Sequence, residues 1–332
     1  MTTLKDIAYK AGVNISTVSK ALRDSTDINK DTKLRIKKIA KEMNYHIKSD
    51  KNRCMEGLGL IGVVCPEIRS NYYSQIVSAI EEETKRNGYS LIVGCTDFGV
   101  ENERYFLKSF NRSNCAGIIF ITESEDVEEI LKEYRTENNQ PLVLIAQNTE
   151  TKEFDCIKID DEYGVRLALQ HLISSGHKNI GYIGDMLSST RLNTFLKIMK
   201  ENNIAINQNW IMESNERFEK CGYNLMKKII VAGEMPTAVM GAYDDIAIGA
   251  IKALHDNGFV VPKDISVVGI DNIRSASYIS PELTTVAAPI DEMCRIAVKL
   301  LLKKIKDNNY KIVQNVKLSP FLVQRNTVKK IN

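Results

Sequence analysis

The sequence predicts two kinds of fold in one chain: a small all-α headpiece, then a larger α/β unit built from two doubly wound parallel sheets. Three observations carry this reading. Residues 1–46 hold three short helical patterns and no strand pattern. From residue 60 onward, short apolar β-branched runs alternate with longer amphipathic stretches, the rhythm of parallel strands joined by crossover helices. The formal net charge of +3 also hides an asymmetry: residues 1–57 carry 13 Lys/Arg against 7 Asp/Glu, and residues 58–332 carry 32 against 35.

Taken in order, Leu4, Ile7, Ala8 and Ala11 recur at helical spacing and form one apolar face. Gly12 supplies the backbone freedom of a sharp turn, and Asn14 is the expected N-cap of the next helix. That second helix turns Val18, Ala21 and Leu22 inward and leaves Ile15, Ser16, Thr17, Ser19 and Lys20 outward. Two helices braced across a tight turn, the second with a small, polar, basic face, suit a DNA major groove. An ordinary αα-hairpin is the alternative on these residues alone. The basic surplus confined to this segment favours DNA, because cations that neutralise phosphates release counterions. A third helix is expected from Lys30 to Asn44 behind the cap Asn29, with Leu34, Ile36, Ile39, Ala40 and Met43 on its apolar side. Tyr45 closes the small core.

Residues 46–58, HIKSDKNRCMEGL, are polar and basic without a hydrophobic period and read as a linker. Residues 57–62 spell G-x-G-x-x-G, but the run leads into a strand instead of following one, so no dinucleotide site is assigned. Strands are expected at Leu60–Cys65, Tyr89–Cys95, Ala116–Ile121, Leu142–Ala146, Cys156–Ile159, Asn179–Gly184, Thr237–Gly241, Ser266–Ile270 and Thr284–Ala288. Helical stretches between them include Gln75–Asn87, Val127–Asn138, Gly164–Ser175, Arg191–Asn202, Cys221–Val231, Ile246–Asn257 and Met293–Lys306. The count favours two sheets with a cleft between them, and ligands of such sheets sit beyond the carboxyl ends of the strands.

Composition excludes several classes. Seven cysteines are an odd number with no C-x-x-C, and the four histidines are scattered, so neither a disulfide framework nor a metal site is expected. No apolar run reaches the roughly 18 residues of a membrane span. The N-terminus lacks a signal-peptide layout, which makes the cytoplasm the expected location. There is no P-loop, G-x-S-x-G or placed Cys-His pair. The chain is therefore not expected to be an enzyme or to carry a cofactor.

The run TTLKDIAYKAGVNISTVSKALRDSTDINKDTKLRIKKIAKEMNY closely resembles the DNA-binding headpiece of the lactose-repressor (LacI/GalR) family of transcriptional regulators. The matching motifs are Thr3 to Ala8, Ala11 to Val13, Thr17 to Lys20, and Asn44-Tyr45. The resemblance implies that Ile15, Ser16 and Lys20 read bases and that Thr3, Thr17 and Asn29 contact phosphates. Lys20 stands where the family usually has Arg. It reaches guanine acceptors without a rigid bidentate fork, so operator preference is expected to differ. In the family the linker folds on DNA and wedges a side chain into the minor groove. Here Met55 or Leu58 would be the wedge, in a segment that matches the family pattern poorly.

The rest resembles the family's effector core, which is periplasmic-binding-protein-like. The motifs are His171-Leu172 with Gly176-His177, Ile180 to Gly184, Asp244 to Ala250, Ile265 to Asp271, Leu283 to Val286, and Pro320 to Arg325. The resemblance implies a headpiece at 1–46, a hinge at 47–58 and an effector core at 59–332. Within the core it implies an N-subdomain of about 59–158 plus 288–318 and a C-subdomain of about 160–286 plus 320–332. His177 reads as a surface loop turn.

For the ligand, Arg191 in SSTRLNTF and Asp271 at the end of SVVGID match family cleft positions, although Thr194 replaces a usual Gly. By spacing alone both read better as helix-cap or surface charges, and the resemblance reverses that in favour of ligand contact. Tyr72 and Tyr73 are the aromatic candidates. Arg217 falls near a usual cleft aromatic and Tyr243 at a position that is often Asn or Gly. A guanidinium and a carboxylate can bond paired sugar hydroxyls, while a second Arg would also suit an anionic ligand. A homodimer on a palindromic double-stranded operator is expected, with Val77 and Ile80 on Tyr73–Arg86 as a pairing face. The seven residues after Arg325 are too short for a coiled-coil tetramerisation segment.

The function implied is a ligand-responsive DNA-binding regulator. The favoured form is a repressor of a carbohydrate-utilisation operon, released from its operator by a small-molecule effector, a sugar. A purine-type corepressor-dependent regulator or a partner-protein-dependent one is the alternative within the family. A solute-binding protein would have a secretion signal and no basic headpiece.

Overall fold

The computed structural model describes residues 3–22, 27–43, 59–137, 140–146 and 151–331. The chain divides into two units, residues 1–56 and 57–332.

In the first unit, α1 (Leu4–Ala11), α2 (Ile15–Leu22) and α3 (Lys30–Glu42) share one core. Thr3 caps α1 in a reciprocal box: the Asp6 N–H donates to its Oγ1, and its own N–H donates to the Asp6 carboxylate at 2.8 Å. Gly12 closes α1 at φ 63°, a left-handed conformation that glycine takes without a Cβ penalty. Ile7, Ala8, Ala11, Val18, Ala21, Ile36 and Ala40 form the buried centre. Leu34 does not join it and is 62% exposed. Two residues before Ile36, it lies about 200° round the helix from the buried stripe.

The second unit contains two six-stranded sheets. The first is supplied by β1 (Gly59–Cys65), α4 (Asn71–Arg86), β2 (Tyr89–Cys95), α5 (Val100–Arg112), β3 (Gly117–Thr122), α6 (Val127–Glu137), β4 (Leu142–Ala146) and β5 (Asp155–Ile159). The chain then supplies the second with α7 (Asp161–Ser174), β6 (Ile180–Asp185), α8 (Ser189–Glu201), β7 (Ile211–Ser214), α9 (Phe218–Ala232), β8 (Ala238–Gly241), α10 (Asp244–Asp256), β9 (Ser266–Asp271) and β10 (Thr284–Ala287). It returns through α11 (Ile290–Lys306) to β11 (Asn315–Leu318) and ends with β12 (Phe321–Val323). The strand orders are β11-β5-β4-β3-β1-β2 and β12-β10-β9-β8-β6-β7. Every pairing is parallel except β10 with β12. The chain therefore passes between sheets three times, after β5, after β10 and after β11.

Buried on both faces, the central strands alternate between two cores. Ile61, Val63, Ile119 and Ile121 pack toward α4 and α11. Val64, Ile118 and Phe120 pack toward α5 and α6. Each such fully buried aliphatic contributes about 1.5–3 kcal/mol of transfer free energy. Ile80 belongs to the first of these cores with no exposed surface, so it is unavailable as a pairing face. His177 is fully buried too, not a surface turn. Its Nδ1 lies 3.0 Å from Thr237 Oγ1 and its Nε2 3.1 Å from the Lys329 carbonyl, pinning the C-terminal segment to the second sheet.

Among the helices that begin two to four residues earlier than hydrophobic period predicts are α4 at Asn71, α7 at Asp161, α8 at Ser189 and α10 at Asp244. Their first turns lie beside the cleft at the strand ends, so polar residues stand where the period would place apolar ones. In α9 and α10 the backbones touch. A Cβ on Gly222 would lie 1.9 Å from the Ile246 carbonyl oxygen, and one on Gly249 2.0 Å from that of Glu219. This contact sets the two N-termini side by side at the cleft.

Candidate functional site

On α2 the sequence places Ile15, Ser16 and Lys20 along one exposed strip, and Ile15 is 47% exposed despite being apolar. An exposed isoleucine on a small helix suits contact with a thymine methyl. Thr17 is half-buried beside this strip. Lys20 Nζ lies 3.1 Å from Asp27 Oδ2 with both groups exposed, a pair weak enough for a phosphate or a base to displace. Thr3 and Asn29 occupy helix starts, where Asn29 Oδ1 accepts from the Asp31 N–H at 3.0 Å. Met55 lies outside the described residues, as does the rest of the linker.

In the second unit a cleft of about 690 Å³ opens where the strand ends of the two sheets meet. The sequence-predicted residues Tyr72, Tyr73, Arg191, Arg217, Tyr243 and Asp271 all line it. Arg191, in the first turn of α8, sits between two carboxylates. Its Nε donates to both oxygens of Asp161 at 3.0 and 3.1 Å, its NH2 to Asp271 at 3.2 Å, and its NH1 to the Ala242 carbonyl at 2.7 Å. Burial opposes the guanidinium charge, but Asp161 and Asp271 outweigh it and hold the group well above its ordinary value. Burial pushes Asp271 up to about 6 against the pull of Arg191. Its backbone is left-handed at φ 108°, a costly conformation for a non-glycine residue that turns the carboxylate toward Arg191. Tyr72 is half-buried beside these charges.

A second constellation joins the subdomains. Arg217, the N-cap of α9, reaches Glu67 at 2.8 Å across the cleft and Asp185 at 3.5 Å on its own side. Its guanidinium lies 4.5 Å from the Phe218 ring centre and 5.3 Å from that of Phe98. Tyr243 donates to Asp185 Oδ2 at 2.6 Å and accepts from the Phe218 N–H at 3.2 Å. Asp185 is buried, and its Oδ1 has no partner. Asn71 bridges from the other subdomain, donating to Asp245 at 2.8 Å. Tyr73 is buried, its ring edge-on to Tyr72 and Phe98 and its hydroxyl donating to Glu123 at 3.0 Å. Glu123 lies open to the cleft, and its removal from bulk water pushes the carboxyl up to about 7.

Sequence reasoning passed over Glu67, Phe98, Glu123, Asp161, Asp185 and Asp245. A signal existed for four of them, because Glu67, Glu123 and Asp161 follow β1, β3 and β5 and Asp185 ends β6, at the carboxyl ends where open α/β sheets bind. Among the described residues there is no cluster of metal-ligating side chains and no helix long and apolar enough to cross a membrane.

The profile for the lacI family of bacterial regulatory proteins matches residues 3–47, and that for a periplasmic binding protein-like domain matches residues 169–328. The chain is 33% identical over 337 residues to the HTH-type transcriptional repressor PurR of Histophilus somni (strain 129Pt), with 99% of each chain covered. Among solved structures, a lac repressor dimer bound to operator and the anti-inducer ONPF is similar at a TM-score of 0.76 and 26% identity, covering 99% of both chains. A LacI family regulator from Enterococcus faecium with bound ribose is similar at 0.72 and 25%, covering 82% of this chain and 100% of its own. Similarity of this degree along the whole length means that the chain belongs to the lacI family of bacterial regulatory proteins, ligand-responsive DNA-binding repressors and not enzymes.

Proposed function

We propose that the effector is a polyhydroxyl compound, a sugar, taken up between the two subdomains of the core. The observation that carries this is the run Asp161–Arg191–Asp271, with acceptor, donor and acceptor side by side under Tyr72. A hydroxyl both donates and accepts, so two neighbouring sugar hydroxyls satisfy such a run, while an aromatic ring packs on the apolar face of the pyranose or furanose. The partnerless Asp185 Oδ1 offers a further acceptor. Nine carboxylates and four cations line the cleft, and Arg217 is already held by Glu67, which weighs against an anionic ligand.

In this reading Arg191, Asp271, Tyr72 and Tyr243 contact the effector. Tyr73 acts through Glu123, and Arg217 through the contact it makes across the cleft. An effector that prefers a different spacing of the subdomains would compete with the Arg217–Glu67 and Asn71–Asp245 bridges. It needs about 5.5 kcal/mol of differential affinity to carry a two-state switch from 1:99 to 99:1. Residues 1–46 bind DNA through Ile15, Ser16 and Lys20, with Thr3, Thr17 and Asn29 at phosphates. Residues 47–58 form the hinge, with Met55 as its wedge, and 59–332 the effector core. The protein acts in the cytoplasm as a homodimer on a palindromic operator, as the operator-bound dimer among its neighbours suggests.

A purine effector is the second reading, favoured by the repressors named PurR among the full-length relatives. A thermal-shift screen of sugars and purines separates the two. The sugar reading expects a sugar hit that weakens in Asp271→Ala. A purine-only response would replace it. Fluorescence anisotropy on double-stranded DNA from upstream of its own gene, at low salt, tests the repressor half; no binding there would remove it.

A further inference from the structure

The cleft holds more negative charge than its own cations neutralise. Arg191 and Arg217 are each shared by two carboxylates. Glu103 and Glu123, which also line the cleft, form no ion pair among the described residues. Glu103 reaches the cleft from α5, and its Oε1 accepts from Thr122 at 2.6 Å. The residue is 2% exposed, and Oε2 has neither solvent nor a partner. Glu123 follows β3 and has only a neutral donor, the Tyr73 hydroxyl. The rest of its carboxylate faces the cleft. Burying a carboxylate without a counter-charge is costly, so the buried Glu103, with the open carboxylate of Glu123 on the same cleft, favours a cation brought by the ligand.

We propose that Glu123 and Glu103 form a subsite for a protonated amine, so that the effector is an amine-bearing polyhydroxyl compound, an aminosugar in chemical class. This rests on the reading of the cleft as a sugar site and adds where the charged nitrogen goes. The hydroxyls lie against Asp161, Arg191 and Asp271, and the ammonium lies against the opposite wall. The ammonium donates to the open carboxylate of Glu123, and the buried carboxylate of Glu103 adds a second negative charge. Raised proton affinity at both carboxyls agrees with this, burial being its first cause in each.

The test is calorimetric titration of the full chain at pH 7.5 with three matched sets: glucose, glucosamine and N-acetylglucosamine, and the galactose and mannose counterparts. The acetylated member keeps the nitrogen and removes the charge. In at least one set the free amine is expected to bind tenfold or more tighter than both of its neutral relatives. Glu123→Gln is expected to bring that ratio within threefold of one, and Glu103→Gln, with a separate fold check by circular dichroism, to reduce it. Neutral sugars binding as tightly as amines would overturn the subsite while leaving the sugar reading intact. An amine preference that survives both substitutions would overturn the assignment to these two residues. No binding by any member of the panel would overturn the sugar reading and the subsite with it.

Discussion

Replacing Arg191 by methionine keeps most of the aliphatic stem and removes the charge that Asp161 and Asp271 share. With charge centres about 4 Å apart and an effective dielectric near 20, each ion pair is worth about 4 kcal/mol of Coulomb energy before desolvation. The arginine side chain is 18% exposed and Asp271 8%, so little of this is screened by solvent. Removing the cation also leaves two carboxylates facing each other and the Ala242 carbonyl without its donor. Breaking a buried pair from one side costs about 3–5 kcal/mol, and the 26% exposure of Asp161 moves the expectation to the lower end, about 3 kcal/mol. Urea denaturation followed by tryptophan fluorescence reads it, since the single tryptophan, Trp210, lies in the same subdomain. Adding Asp271→Asn to the Arg191→Met protein removes the repulsion between the two carboxylates and is expected to recover about 1 kcal/mol, a coupling typical of residues in contact. If Arg191→Met stays within about 0.5 kcal/mol of wild type, the level of an ordinary surface substitution, the two carboxylates do not depend on this guanidinium and the reasoning fails.

The carboxyls that line the cleft also set a pH dependence. Glu123 is raised from 4.5 to about 7, and Asp245 and Asp271 from 3.8 to about 6, in each case first by burial. A folded-state value above the unfolded one gives stability that is complete below the unfolded value and lost as pH rises through the folded value. The melting temperature is therefore expected to fall between about pH 4 and 7, with a shallower fall in Glu123→Gln; equal slopes would contradict the assignment. Gly222→Ala drives a Cβ to 1.9 Å from the Ile246 carbonyl oxygen and is expected to destabilise the core by about 3 kcal/mol in urea. Operator titrations of Lys20→Ala at several salt concentrations are expected to show about 1–3 kcal/mol lost and relaxed preference at one base pair. A uniform loss across sequences with a reduced salt slope would make Lys20 a phosphate contact.

The helix positions of the headpiece were legible because a three-helix unit of this size has one core and one period. Leu34 was misread because the apolar count took in a residue off the buried stripe. In the core the long, fully buried strands stood out, while β7, β11 and β12 did not. They are edge strands of three or four residues without a fully buried position, too short to show alternation. Arg191 and Asp271 were readable as charges at strand or helix ends, but neither their joint contact nor the role of Asp161 could be seen. Asp161 and Arg191 are 30 residues apart, and Asp271 is another 80 along the chain.

By itself the sequence determined the order of secondary structure, the basic headpiece with Ile15, Ser16 and Lys20 outward, and the two-sheet class of the core. These depend on local periodicity and on the distribution of charge, which the chain carries without folding. Only the tertiary structure decided which charges cancel. Arg217, which by sequence stands near an aromatic position, is held by Glu67 across the cleft. Ile80 is in a core, and His177 is buried. Glu103 and Glu123 are left facing the cleft without a cation. Those outcomes depend on distances between residues far apart in sequence, and electrostatic energy is set by distance and desolvation, neither of which a linear pattern contains.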